Sequence, residues 1–205
     1  MKALPPLLPP LGDRRRLRVG LLGGSFNPAH EGHLHISAAA QRLLGLDQVW
    51  WLVSPQNRLK PTKGMAPFAR RLAQARMLAV KHRIIVSEVE QTLGTVRTAE
   101  TLAALQRRYP AMAFVWLMGA DNLAQIPRWW RWTDIYRRVR VAVFDRSPYS
   151  YRALAGAAAQ RFAAARREPK RLFAAGLPAW SWVPIRRHPA SATALRATKN
   201  PATSR

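Results

Sequence analysis

The sequence predicts a single α/β domain built on a doubly wound parallel sheet. Short apolar segments rich in Val, Trp and Leu alternate with amphipathic segments of helical length along the 205 residues, which is the pattern of a sheet covered by helices. No internal repeat or linker interrupts this alternation. The first apolar segment runs into a glycine-rich loop, as in sheets that bind ligands beyond the carboxyl ends of their strands.

The predicted elements follow one another in the order strand, helix, strand. Apolar runs bounded by turn residues predict strands at 18–22, 49–53, 84–86, 113–118, 140–144 and, as an edge strand, 180–183. Apolar periodicity and helix caps predict helices at about 32–44, 67–81, 98–108, 151–167 and 191–197. Pro67 is expected in the first turn of its helix and Thr98 at an N-cap, the positions these residue types favour. Together the elements predict a Rossmann-like sheet.

Composition limits the class of protein. Apolar residues make up 48% of the chain, and cysteine is absent, which excludes disulfides and thiolate catalysis and fits a reducing cytoplasm. Residues 1–15 are expected to be an extended, proline-rich lead-in to a domain spanning 16–205. The proline content of this lead-in excludes a signal-peptide helix, and no apolar run is long enough to cross a membrane.

The net charge of +24 comes from 34 basic and 10 acidic residues. Such a charge permits binding to nucleic acid or to an anionic membrane. The basic residues form no separate tail and match no known nucleic-acid motif, so we expect anionic small-molecule substrates and only salt-sensitive, non-specific contact with nucleic acid.

The loop after the first strand carries the clearest chemical signal. Gly23 and Gly24 allow the backbone to approach a ligand, and the helix that follows offers free N–H groups to phosphate. His30 and His33 are three residues apart and therefore share a face of the first helical turn, whereas His35 is out of phase and expected at the surface. A zinc site with only two histidines and a purely structural turn are weaker alternatives. The Gly-Lys-Ser/Thr of a P-loop is missing.

Gly23 to His33 read Gly-Gly-Ser-Phe-Asn-Pro-Ala-His-Glu-Gly-His. This segment resembles the signature of the nucleotidyltransferases with a His-x-Gly-His motif, and among them it is most similar to the bacterial nicotinate-nucleotide adenylyltransferases. The resemblance continues to Arg196 through three further segments, at 54–61, 96–102 and 191–196. It implies transfer of the adenylyl group of ATP to nicotinate mononucleotide, with Mg²⁺ arriving on ATP and no dedicated protein metal site.

The resemblance also implies roles for individual residues. The phosphates and the leaving pyrophosphate would be stabilised by His30, His33, Lys60 and Arg196. ATP would further contact Gly23, Gly24, Ser25, Phe26, Gly119, Asp121, Ser191 and Thr193. Nicotinate mononucleotide would contact Asn57, Thr98, Trp129 and Trp130, whereas Trp132 is expected in the core with Ile135. Each of these side chains also has a structural alternative, such as a helix cap for Thr98 and Asp121 or core packing for either tryptophan.

One departure from the family pattern concerns the pyridine ring. Relatives carry an aromatic residue shortly before the last motif, where this chain has Ile185 to Ala190, so Arg187, His188 or Trp182 would have to replace that contact. Two other functions therefore stay open. One is transfer to another acceptor, such as nicotinamide mononucleotide or phosphopantetheine, and the other is nucleotide or nucleic-acid binding without catalysis.

Overall fold

The sheet is the centre of the fold. The computed structural model describes residues 8–9, 13–55, 64–80, 82–145 and 150–186. Within these ranges six strands form one sheet in the order β3-β2-β1-β4-β5-β6, and all neighbouring strands are parallel. The strands are β1 Arg18–Gly24, β2 Gln48–Val53, β3 Ile84–Ser87, β4 Ala113–Gly119, β5 Arg140–Phe144 and β6 Trp180–Val183. The predicted fold class is confirmed.

Helices connect the strands and cover both faces of the sheet. They are α1 Glu31–Leu44, α2 Phe68–Ala79, α3 Val89–Thr92, α4 Thr98–Arg108, α5 Ala120–Gln125, α6 Trp132–Arg138, α7 Ser150–Leu154 and α8 Ala157–Arg161. Neighbouring residues of β2 enter different apolar clusters: Trp50 packs with Leu102 of α4, and Trp51 packs with Ile36 of α1. Because side chains alternate along a strand, these two clusters are the two covered faces. Among the described helices, none is long and apolar enough to cross a membrane.

Several predicted boundaries were wrong. Strand β1 continues through Gly23 and Gly24, because both residues pair with β2. Helix α2 begins one residue after Pro67, whose ψ of 145° is extended rather than helical. Thr98 is the first residue of α4 and not its N-cap, which is Arg97 with an extended backbone and no capping side chain.

The predicted helix over 151–167 is also wrong, because it is broken into α7, α8 and a short 3-10 turn at Ala163–Ala165. The break lies at Gly156, which has an extended backbone with ψ of 163°. Alanine and arginine favour a helix, but they carry little information about where it must turn to follow the core.

Three residues predicted to lie outside the core contact other parts of the fold. His35 is partly exposed at the surface, as predicted, and its Nε2 lies 2.7 Å from the backbone oxygen of Arg186. In the lead-in, Leu8 packs against the core and the carbonyl of Pro9 accepts a hydrogen bond from the hydroxyl of Tyr109 at 3.0 Å. The predicted terminal helix at 191–197 lies outside the described residues.

Candidate active site

The strand order places a crevice beside β1. Strands β1 and β4 are neighbours, and the chain winds away from them in opposite directions. At such a switch point the loops after the two strands separate, which opens a cleft at the carboxyl edge of the sheet. Gly24 ends β1, Gly119 ends β4 and Ser54 follows β2, so the predicted ligand segments converge on this edge.

The loop between β1 and α1 ends in a cap made by two histidines. His30 is the N-cap of α1, and its Nδ1 accepts a hydrogen bond from the N–H of Gly32 at 3.1 Å. The N–H of His30 in turn donates to Nδ1 of His33 at 3.2 Å. These reciprocal bonds form a capping box, which satisfies two N–H groups that a helix start leaves open.

The capping bonds determine the tautomer of both rings. A neutral imidazole has one nitrogen that accepts and one that donates. Since Nδ1 accepts a backbone N–H in both His30 and His33, the ring proton of each neutral ring is on Nε2. The ring centroids are only 4.0 Å apart, so both Nε2–H donors belong to one small region at the positive end of α1.

Aromatic packing supports the second histidine. The ring centroid of His33 lies 4.6 Å from that of Phe26 and 5.8 Å from that of Trp51. Phe26 is 1% exposed and has a left-handed φ of 46°, which turns the chain so that its ring enters the core beneath His33. Trp51 Nε1–H donates to Ser37 Oγ, and Ser37 Oγ–H donates to the backbone oxygen of His33, both at 2.8 Å. The imidazole is therefore held on several sides.

The two glycines at the end of β1 meet different surroundings. A Cβ on Gly23 would lie 2.3 Å from Cη2 of Trp116, a contact that real side chains do not make. A Cβ on Gly24 would meet nothing closer than 3.5 Å, to the ring of Phe26. Gly23 is thus required by the core, whereas a Cβ at Gly24 would make only ordinary contacts.

Arg71 of α2 joins two of the ligand loops, and the sequence interpretation missed it. The guanidinium is 1% exposed and donates to four carbonyls: Ser25 at 2.6 Å, Ser54 and Pro55 at 2.8 Å, and Ala66 at 3.0 Å. Burial lowers the pKa of Arg71. Its spacing of four residues from Ala75 and eight from Ala79 puts it on the buried face of α2, which was the available signal in a chain rich in exposed arginines.

Asn27 connects the same loops a second time. Its side-chain NH₂ donates to the carbonyl of Gly64 and its side-chain oxygen accepts from the N–H of Ala66, both at 3.1 Å. Together Arg71 and Asn27 fix the β1 loop against the segment that precedes α2. The two contacts of Asn27 were not predicted, because sequence spacing says nothing about pairs of residues nearly forty positions apart.

Among the residues predicted to bind the mononucleotide, Thr98 begins α4 and Trp130 contacts Arg97, the N-cap of that helix. The guanidinium of Arg97 stands over the ring of Trp130 at 4.5 Å, and that of Arg131 does so at 5.2 Å. Trp130 is 43% exposed, whereas Trp129 is half-buried and meets Trp116 edge-on at 6.3 Å. Thr98 thus directly follows Arg97, which contacts Trp130, one of the two tryptophans predicted to bind the mononucleotide.

The remaining predicted site residues are either at the ends of secondary-structure elements or outside the described ranges. Gly119 is buried at the end of β4, and Asp121 is the second residue of α5 and half-buried. Trp132 was predicted in the core. It is partly buried and packs edge-on against Tyr136 and Phe162 at the margin of the core cluster. Five predicted site residues lie outside the described ranges: Asn57, Lys60, Ser191, Thr193 and Arg196.

A second buried ionisable residue was also missed. Glu90 of α3 is 7% exposed, and the hydroxyl groups of Ser54 and Thr101 lie near its carboxyl. Burial raises the pKa of Glu90 to about 7, against a smaller opposing effect of these two hydroxyl groups. Within the described ranges, no group of three or more His, Asp or Glu side chains is placed to hold a metal ion.

Comparison with known proteins identifies the family. The cytidylyltransferase-like family profile matches residues 21–198. A protein of Cereibacter sphaeroides, described as a probable nicotinate-nucleotide adenylyltransferase, is 52% identical over 88% of this chain and 96% of its own length. Proteins with the same description are 60% identical in Parvibaculum lavamentivorans, over 67% of this chain and 68% of the relative, and 49% identical in Methylorubrum extorquens, over 88% and 99%.

Solved structures share the fold. The nicotinic acid mononucleotide adenylyltransferase of Plasmodium falciparum, in complex with NaAD, superposes with a TM-score of 0.67 at 14% identity, covering 88% of this chain and 82% of that chain. The same protein in complex with APC gives a TM-score of 0.65 over the same shares. At this identity the likeness concerns the fold alone.

Proposed function

The chain belongs to the cytidylyltransferase-like family and, within it, to the nicotinate-nucleotide adenylyltransferases, and on this premise we propose how its residues perform the reaction. The reaction joins nicotinate mononucleotide to the AMP part of ATP, which gives deamido-NAD and pyrophosphate. A phosphate oxygen of the mononucleotide attacks the α-phosphorus of ATP. The bond from that phosphorus to the oxygen bridging to the β-phosphate breaks, and pyrophosphate leaves with the bonding electrons.

The paired imidazoles of His30 and His33 are the observation that carries this assignment. Their capping bonds leave the ring proton of each neutral imidazole on Nε2, and both rings lie at the N-terminus of α1. Such donors suit the oxygens of a triphosphate, on which charge grows as pyrophosphate leaves. The attacking phosphate is already anionic near neutral pH, so the histidines bind and orient phosphate and no general base is required.

The remaining predicted residues complete the proposal. Lys60 and Arg196 would neutralise the β- and γ-phosphates, while Ser191 and Thr193 would add donors at the start of the last motif. Gly23, Gly24, Ser25 and Phe26 would line the phosphates, and Gly119 and Asp121 the adenosine. Asn57, Thr98, Trp129 and Trp130 would hold the mononucleotide. Mg²⁺ would enter as part of the substrate MgATP and keep most of its waters.

A substrate panel tests the proposal. Purified protein is incubated with MgATP and, separately, nicotinate mononucleotide, nicotinamide mononucleotide and phosphopantetheine, and pyrophosphate release is measured. We expect the acid mononucleotide to give the highest kcat/KM. Release of pyrophosphate only with phosphopantetheine, or with none of the three, would contradict the assignment. RNA binding that persists in high salt without turnover would favour the non-catalytic alternative. We also propose that the protein acts in the cytoplasm, the compartment that supplies its donor substrate ATP.

The role of the histidines has its own test. His33→Ala removes one Nε2–H donor, and we expect turnover to fall by about 100-fold or more while the protein stays folded. His35→Ala is the matched control, because His35 lies on the same helix and contacts the carbonyl of Arg186 instead of the cap. Near-normal kcat in the His33 variant would reject the phosphate role.

A further inference from the structure

Arg71 carries a buried positive charge that none of the described ion pairs neutralises. The residue is 1% exposed, and in the described part of the chain no carboxylate pairs with it. Its guanidinium carbon lies 5.4 Å from the ring centroid of Phe68, three residues earlier on α2. Removing a cation from water is unfavourable unless polar groups or an opposite charge compensate for it. A charge kept there at this cost points to a role beyond the packing of α2.

The guanidinium joins three backbone segments through its hydrogen bonds. Nη1 donates to the carbonyl of Ser25 at 2.6 Å and to that of Ser54 at 2.8 Å, so one nitrogen connects the loop after β1 to the residue after β2. Nη2 donates to the carbonyl of Pro55 at 2.8 Å, and Nε donates to that of Ala66, just before α2, at 3.0 Å. The donors of a guanidinium are held in one rigid plane, so these bonds fix the three segments relative to one another.

The bond to Ser25 also orients a backbone donor. In a planar trans peptide, the C=O and the N–H of the next residue point in opposite directions. The peptide between Ser25 and Phe26 is trans, and its carbonyl points to Arg71, so the N–H of Phe26 points away from the buried guanidinium. The backbone nitrogen of Phe26 lies 3.9 Å from the position that a Cβ on Gly24 would take. This donor is therefore beside the glycine that ends β1.

We propose that Arg71 is a positioning residue for the phosphates of ATP: it fixes the peptide between Ser25 and Phe26 so that the N–H of Phe26 faces the triphosphate. The inference rests on the proposed function, which places the phosphates at this loop. Arg71 itself touches no substrate, since it is 1% exposed. Its charge polarises the Ser25 carbonyl and so strengthens the N–H at the other end of the same peptide. Charge that grows on the phosphates in the transition state then meets a donor that is already in place.

Arg71→Lys separates the orientation of the loop from the charge. Lysine stays positive, but its three donors are on one atom and cannot reproduce the planar fork that holds four carbonyls. Arg140→Lys is the matched control, because the guanidinium of Arg140 also donates to backbone carbonyls, at 2.9–3.3 Å, namely those of Leu172, Phe173 and Ala175. Arg140 begins β5 and so lies at the opposite edge of the sheet from the candidate active site.

The test is steady-state kinetics in which each substrate is varied in turn, at a temperature at which circular dichroism shows every variant to be folded. We expect Arg71→Lys to lower kcat by about tenfold and to change KM for nicotinate mononucleotide by less than about twofold, because a displaced donor acts mainly on the transition state. Arg140→Lys should lower Tm by a similar amount but keep kcat.

A second measurement uses the unaltered protein and depends on no variant. The backbone amide of Phe26 is followed by ¹⁵N nuclear magnetic resonance while Mg²⁺ and α,β-methylene-ATP are added. We expect its resonance to shift and its hydrogen exchange to slow, because the N–H becomes bonded to a phosphate oxygen.

Each outcome supports or overturns the inference. An unchanged kcat in folded Arg71→Lys overturns it, and so does an equal loss of kcat in Arg140→Lys, because activity would then only follow stability. A Phe26 amide that does not respond to the nucleotide overturns it even if Arg71→Lys fails to fold. Absence of turnover in the unaltered protein with every mononucleotide would reject the proposed function, whereas normal turnover with an unaffected Arg71→Lys variant would reject the inference alone.

Discussion

Replacing Gly23 by alanine should destabilise the core, while the same change at Gly24 should not. Ordinary contacts of a Cβ lie at 3.4–4 Å, but a Cβ on Gly23 would lie 2.3 Å from Cη2 and 3.0 Å from Cζ2 of Trp116. The indole would have to move by about 1 Å, and it is 3% exposed within the core. Overpacking of this kind costs about 1–3 kcal/mol of the free energy of unfolding.

The melting temperature measures this cost. For a chain of this length, 1 kcal/mol lowers Tm by about 2–4 °C, so Gly23→Ala should lower Tm by about 2–12 °C. Among described residues the Trp116 indole N–H has no hydrogen-bond partner, so packing alone resists the shift, which favours the lower part of that range.

Gly24→Ala is the matched control in the same strand. Its Cβ would meet the Phe26 ring at 3.5 Å, an ordinary contact, so Tm should change by less than about 2 °C. This variant should instead raise KM for ATP, because the new methyl group occupies space next to the proposed phosphate site. Equal losses of Tm in the two variants, or none in Gly23→Ala, would refute the steric reasoning.

Three further predictions follow from the site. His30→Asn should keep the helix cap and its stability but lose most turnover, whereas His30→Ala should lose both, with about 0.5–2 kcal/mol less free energy of unfolding in urea; equal stability of the two variants would contradict the cap. Arg71→Met should lower the free energy of unfolding by about 2–4 kcal/mol, since four carbonyls lose their donor, and exposed Arg70→Met should not. Because burial raises the pKa of Glu90 to about 7 from an ordinary 4.5, the folded state keeps a proton that the unfolded chain releases between these values. Stability should therefore fall as pH rises from about 4.5 to 7 and level off above, by at most about 3 kcal/mol, and Glu90→Gln should gain stability relative to the unaltered protein between pH 5 and pH 8; parallel pH profiles would refute this.

Local sequence was sufficient where the signal was local. The strands of the core were placed within two residues of their ends, because runs such as Val49 to Val53 favour a buried strand by composition alone. The helix start at Glu31 followed from the histidines and glycine around it. The errors at Pro67 and Thr98 are errors of helix ends, and the error at 151–167 is a missed break inside a predicted helix. In each case tertiary contacts decide between positions that are equally favourable locally.

The sequence interpretation did not identify the residues that hold the loops together. Arg71 and Glu90 resemble the many surface charges of this chain, and only their burial against Ser54 distinguishes them. The tautomer of His30 and His33 likewise depends on which ring nitrogen the folded backbone occupies.

By itself the sequence determined the fold class and the family, and with them the reaction. These properties depend on periodic apolar residues and on the short motif from Gly23 to His33, which are contiguous and need no knowledge of distant contacts. Only the tertiary structure decided how that motif is used: which glycine the core requires, which nitrogen carries the proton, and which buried side chains join the loops. The physical reason is that hydrogen bonding and steric overlap act over a few ångströms in space, between residues that the chain separates by tens of positions.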